Sequence, residues 1–122
     1  MYPKNVSKFF FKALKMPKKG GEMSVVCEFA MFPLDKGESV SKYVSRIIKM
    51  FENSGVNYQL TPMGTIFEVE TIKEAMDIIN DSYQLLETDC NRVYTTIKMD
   101  IRKNKFNRMK QKIESVMKKI RE

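Results

Sequence analysis

The stretch Tyr58-Gln59-Leu60-Thr61-Pro62-Met63-Gly64-Thr65-Ile66-Phe67-Glu68-Val69-Glu70 decides the fold. Pro62 and Gly64 favour a tight reversal between two short β-prone runs, Tyr58 to Leu60 and Thr65 to Glu70, so the stretch reads as a hairpin. Just downstream, Thr71 followed by Glu74 forms a capping box for a helix whose apolar side is Ala75, Ile78, Ile79, Tyr83 and Leu86. Just upstream, Val40, Tyr43, Val44, Ile47, Ile48 and Phe51 recur at three- and four-residue spacing. Ser39 or Ser41 suits the start of that helix and Gly55 its stop.

Further out lie two longer strands. Ser24 to Pro33 is a β-rich run that Pro33 ends by withholding a backbone donor. Arg92 to Arg102 sets Val93, Thr95, Ile97, Met99 and Ile101 against Tyr94, Thr96, Lys98, Asp100 and Arg102, the period-two pattern of a strand with one buried face. Beyond it, Met109, Ile113, Val116, Met117 and Ile120 fall at helical spacing among lysines, an amphipathic terminal helix.

The resulting order predicts an α+β protein, a ferredoxin-like βαββαβ sandwich with an additional C-terminal helix and a sheet ordered fourth, first, third, second. The most apolar register turns Val25, Cys27, Phe29, Met31, Phe67, Val69, Val93, Ile97 and Met99 toward the helices. Glu28, Glu68, Lys98 and Asp100 then share the opposite face, with Glu28 flanked by Glu68 on one side and Lys98 on the other. Val26, Ala30, Phe32, Ile66 and Tyr94 make that face partly apolar, and pairing of two such sheets is an economical way to cover it.

Composition bounds the function. The 122 residues are 43% apolar and 30% charged, which suits one compact domain, and charged residues interrupt every apolar run before it is long enough to span a membrane. There is no His, which removes Ser-His-Asp and Cys-His catalysis and the usual proton shuttle. Cys27 and Cys90 lack Cys-x-x-Cys spacing and read as reduced thiols of a cytoplasmic protein. No metal or other cofactor is expected.

The formal charge of +7 is unevenly spread. Residues 1–22 hold six lysines against Glu22, residues 102–122 hold nine basic residues against Glu114 and Glu122, and residues 23–101 are net −5. The first segment, with Phe9, Phe10, Phe11, Leu14 and Met16 among its lysines, suits a basic membrane-surface helix or a transit peptide. Lys19-Gly20-Gly21-Glu22 before Met23 is also what a ribosome-binding site read in frame would encode, so Met23 is a candidate start. Residues 1–22 are therefore taken as a basic extension outside the fold and residues 23–122 as the domain.

Pro33, Ser39-Val40-Ser41-Lys42-Tyr43-Val44, Ser54-Gly55, Tyr58 to Thr65, Glu68, Arg92-Val93 and Thr95-Thr96-Ile97-Lys98-Met99-Asp100 together resemble the thiamine-binding protein family over residues 23 to 120. Leu60-Thr61-Pro62-Met63-Gly64-Thr65 is the most specific piece. The chain departs from the family pattern at Val69, where Gly is usual after Glu, and at Ile101, where a second Asp is usual. The resemblance implies a ferredoxin-like subunit, paired sheets in a homodimer or homotetramer, and binding of thiamine or its hydroxymethylpyrimidine part.

For such a ligand the site residues are Glu28, Ser39, Ser41, Thr61, Met63, Gly64, Thr65, Glu68, Thr96, Lys98 and Asp100. Glu28 or Glu68 accepts from an amino group or offsets the cation. Thr61, Thr65 and Thr96 supply hydroxyls, and Met63, Phe32 and Tyr94 supply walls. Other roles compete: a plain turn for Thr61 to Gly64, a cross-strand ion pair for Glu28 with Lys98, and helix caps for Ser39 and Ser41. The reading is a non-catalytic carrier, buffer or sensor. The alternatives are a purely structural oligomer, nucleic-acid binding through the basic terminal helix, and an enzyme using Glu28, Glu68 or Asp100 as base. The carboxylates on the open face argue against RNA, which needs exposed aromatics in an RNP-type pattern there.

Overall fold

A computed structural model of the chain describes residues 23–122; the readings made for residues 1–22 lie outside them. The elements are β1 (Met23–Pro33), α1 (Ser41–Glu52), β2 (Asn57–Thr61), β3 (Gly64–Val69), α2 (Ile72–Glu87), β4 (Val93–Lys103) and α3 (Arg108–Arg121). All strand pairs are antiparallel and the sheet order is β2-β3-β1-β4, the split arrangement that two crossover helices impose.

Local chemistry accounts for most boundaries. Thr71 caps α2 by accepting from the Glu74 N–H at 3.0 Å, and the Glu74 carboxylate reaches back to the Glu70 N–H at 3.3 Å, one residue before the cap itself. Gly55 takes φ +78°, the left-handed conformation that ends α1. The hairpin turns on Pro62 and Met63 alone, and the Thr61 hydroxyl braces it by donating to the Gly64 carbonyl at 2.8 Å. Ser39 and Ser41 do not cap α1: its N-cap is Val40, with no side-chain hydrogen bond, and the two hydroxyls face each other at 3.5 Å.

Odd-numbered residues of β1 turn toward the helices. Val25, Cys27, Phe29, Met31, Phe67 and Val69 are buried against Ile47, Met50 and Phe51 of α1 and Ala75, Ile78 and Leu86 of α2. The centre is aromatic, with Phe51 lying 5.5 Å from Phe67 and 5.2 Å from Tyr58 between ring centroids, and Phe29 meeting Phe67 edge-on at 5.7 Å. Burial pushes the Cys27 thiol up to about 12, so it stays protonated and packs as an apolar group; Cys90 is also unbridged.

Two core assignments change. Tyr83 is 38% exposed, because the buried stripe of α2 runs through Ser82 and Leu85 instead. Ile97 is 40% exposed although it turns to the helix side, while Val93 and Met99 are half-buried. The cause is coverage: α1 rests on β1, and α2 rests on β1 and β3, so most of the edge strand β4 is left exposed. Among the described residues no helix is long and apolar enough to cross a membrane.

Candidate functional site

The residues singled out from the sequence fall into two places rather than one. A cleft of about 270 Å³ opens at the end of the sheet, between the β2–β3 hairpin, the start of α1 and the last residues of β1. Thr61, Met63, Gly64 and Thr65 line it, together with Phe32, Val40 and Val44. Ser39 and Ser41 sit beside it at the start of α1 but are not among its walls.

The geometry of the cleft follows from strand lengths. Pairing of β1 with β3 ends at Phe29↔Thr65, whereas pairing with β4 continues to Pro33↔Val93. From Ala30 onward, the β1 edge that faced β3 therefore has no strand partner among the described residues, and its alternate N–H and C=O groups point toward the cleft. Gly64 is required at the corner, since a Cβ there would stand 2.8 Å from the Phe29 carbonyl oxygen. Met63, at the hairpin tip, is 84% exposed. None of the lining residues is charged.

The charged residues gather on the other side, on the open face of the sheet. Lys98 Nζ lies 3.1 Å from Glu28 Oε1 across paired positions of β1 and β4, as the alternation requires. Glu68 does not flank Glu28: Glu28 pairs with Ile66, and Glu68 pairs with Val26, two residues along β1. Thr96 stands opposite Ala30 on this face and is exposed. A hollow of about 340 Å³ is lined by Glu28, Lys98 and Asp100 but by neither Thr61 nor Glu68, so it is distinct from the cleft at the hairpin.

Glu68 has a different occupation. Its carboxylate accepts from the backbone N–H groups of Arg108 at 2.7 Å and Met109 at 3.2 Å, and from the Ser24 hydroxyl at 2.5 Å. It thus supplies the N-terminal cap of α3 from a distant strand, because Asn107, in the left-handed conformation, caps nothing with its own side chain. A second tie joins Lys112 to Asp100 and holds the Asp100 carboxyl below its usual range. The chain's own α3 consequently crosses part of the face that was expected to await a second copy. No pattern local to Glu68 in the sequence announces this role, since the contact spans forty residues. Ala30, Val40 and Val44 were likewise missed as cleft walls, being read only as strand and helix residues.

Among the described residues no group of three or more His, Cys, Asp or Glu side chains is arranged to hold a metal. The polar resources of the cleft are hydroxyls and main-chain groups, an arrangement suited to binding a flat heterocycle by its edge.

Comparison with known proteins bears on the family and the fold. The UPF0045 protein MJ1052 of Methanocaldococcus jannaschii is 33% identical over 92 residues, covering 75% of this chain and 91% of that protein. A UPF0045 protein of Methanothermobacter thermautotrophicus is 32% identical over 98 residues, covering 79% and 99%. The crystal structure of MJ1052 superposes with a TM-score of 0.68 over 76% of this chain and 95% of that one, at 32% identity. TM0486 of Thermotoga maritima, at 23% identity and a TM-score of 0.52 over 64% and 81% of the two chains, shares the fold. The family profile described as "Thiamine-binding protein" matches residues 27–117, and the chain belongs to that family.

Proposed function

We propose that the protein binds thiamine, or a hydroxymethylpyrimidine-type ligand, in the cleft at the end of the sheet and leaves it chemically unchanged. The observation that carries this reading is the β1 edge beyond Phe29, which has no strand partner among the described residues and is set between apolar walls. An aminopyrimidine offers in-plane donors and acceptors, which match the N–H and C=O groups of a strand edge, while its faces meet Val44, Phe32 and Met63. With no charged residue in the lining, the pyrimidine is the end that enters and the thiazolium cation stays at the mouth in water. The protein then serves as a cytoplasmic carrier, buffer or sensor, and exposed Tyr94 with its neighbour Phe32 supports self-association through the part of the open face that α3 leaves uncovered.

Isothermal calorimetry with thiamine and with hydroxymethylpyrimidine tests the binding. Dissociation constants near the micromolar range, about −8 kcal/mol, are expected for thiamine. The free pyrimidine should bind within about tenfold of it, since the cation contributes little (about 1.4 kcal/mol or less). Val44→Phe, which narrows the cleft, should abolish the heat without lowering the melting temperature. Absence of heat with both ligands at millimolar concentration removes the reading. Sedimentation equilibrium tests the assembly: a lone 14.3 kDa species at high micromolar concentration rules out the dimer.

A further inference from the structure

The helices α2 and α3 lie on opposite faces of the sheet and carry opposite charge. α2 packs on the helix side through Ala75, Ile78 and Leu86, whereas α3 is tied to the open face through Glu68 and Asp100. Residues 70–89, which span α2, hold six acidic residues against Lys73, and α3 holds six basic residues against Glu114. Each helix also carries an apolar seam of the same 4-3-4 spacing: Ile72, Met76, Ile79 and Tyr83 on α2, and Met109, Ile113, Val116 and Ile120 on α3. Of the α2 seam only Ile79 is buried, and Ile72 and Met76 are each 45% exposed. On α3, Ile113, Val116 and Ile120 open more than half of their surface to water. Seams of this spacing let two helices interlock side by side.

We propose that α3 of one copy of this chain docks on α2 of a second copy, seam against seam. The partner is another molecule because within one copy the sheet stands between the two helices. Charge selects the pairing. Two α2 helices, or two α3 helices, would set like charges together, whereas the unlike pair attracts. Lys119 and Arg121 stand on either side of Ile120; Asp77 stands beside Met76, and Glu87 follows Tyr83 by one turn. Docking thus buries the exposed seam residues of both helices and draws the basic flanks of one toward the acidic flank of the other. Because the two seams look in opposite directions, the contact is heterologous, the α3 of each copy meeting the α2 of the next. Four positions a side make a small interface, so association is expected at high protein concentration. The contact is independent of the cleft and of self-association through Phe32 and Tyr94.

NMR of the full chain, read at the side chains of both seams, is the test. In the natural protein, dilution from millimolar to low micromolar concentration should shift Ile72, Met76, Val116 and Ile120 together, and salt at about 1 M should weaken the association several-fold. Met76→Glu blocks the α2 seam and Ile120→Glu the α3 seam, both at exposed positions that leave the core intact. Each variant alone should show no dilution shift along either seam. A one-to-one mixture should restore the shifts, at Ile72 and Met76 of the Ile120→Glu chain and at Val116 and Ile120 of the Met76→Glu chain. Pairing of like helices would leave one variant associating by itself, and docking of residues 1–22 on α2 of their own chain would give no dilution shift at all. Either result, a silent mixture, or dilution shifts confined to Phe32 and Tyr94 would overturn the proposal.

Discussion

Gly64 and Asp89 show how single residues hold the frame around the cleft. At Gly64 the hairpin main chain approaches β1 so closely that an added methyl group would meet the Phe29 carbonyl at 2.8 Å. Gly64→Ala should therefore destabilise the protein by about 1–3 kcal/mol, measured by denaturant unfolding, and should displace the hairpin from the cleft. Asp89 lies after α2 and receives two hydrogen bonds of 2.8 Å from the Arg46 guanidinium of α1, which itself lies over the Tyr43 ring. These bonds pull the Asp89 carboxyl down to about 2. A depressed carboxyl stabilises the fold fully above its unfolded value near 4 and loses that contribution as pH falls through its folded value. The melting-temperature difference between the natural protein and Asp89→Asn should therefore be constant above pH 5 and shrink toward zero by about pH 2.

At the scale of the element, α3 is the segment whose place depends on the fewest contacts. None of its residues is buried, and Ile113, Val116 and Ile120 are each more than half exposed. Its attachment is concentrated at the N-terminal end, where Glu68 meets the unsatisfied amides and the positive end of the helix dipole. Glu68→Ala should cost about 1–2 kcal/mol, in the range of a lost helix cap, and hydrogen exchange should show protection lost across residues 108–121 while the sheet keeps its own. Glu68→Gln, which retains an acceptor oxygen, should lose less. The helix itself was legible in the spacing of Met109, Ile113, Val116, Met117 and Ile120; its anchor was not, because helical periodicity describes one element and the anchoring carboxylate belongs to another.

Over the whole molecule, the helical layer covers two of the four strands well and leaves most of the edge strand β4 exposed. Ile78, fully buried in the core, should cost about 2–5 kcal/mol when changed to Ala, whereas Ile97→Ala should cost about 1 kcal/mol or less, a contrast readable from the two unfolding midpoints. Period-two alternation correctly put Ile97 on the helix side of the sheet. It could not say whether a helix lies over that position, since coverage depends on where the crossovers land. The same division separates the two groups of residues singled out from the sequence. Glu28 and Lys98 meet because strand pleat and antiparallel pairing dictate it, so their ion pair was readable from alternation. The expectation that Glu68 also flanks Glu28 failed by one step of register: with a period of two, a slip of two residues keeps a side chain on its face and changes its neighbour.

The amino-acid sequence alone determined the order of elements, the hairpin, the cap of α2 and the faces of the strands, because each rests on local backbone preferences and short-period patterning, and the sheet order followed from the handedness rule for the two crossovers. Tertiary structure alone decided where β1 outruns β3 to leave an open edge, which strand lies uncovered, and that Glu68 serves a helix forty residues away. Those outcomes depend on relative strand lengths, register and the landing of helices on the sheet, quantities set by the packing of distant segments.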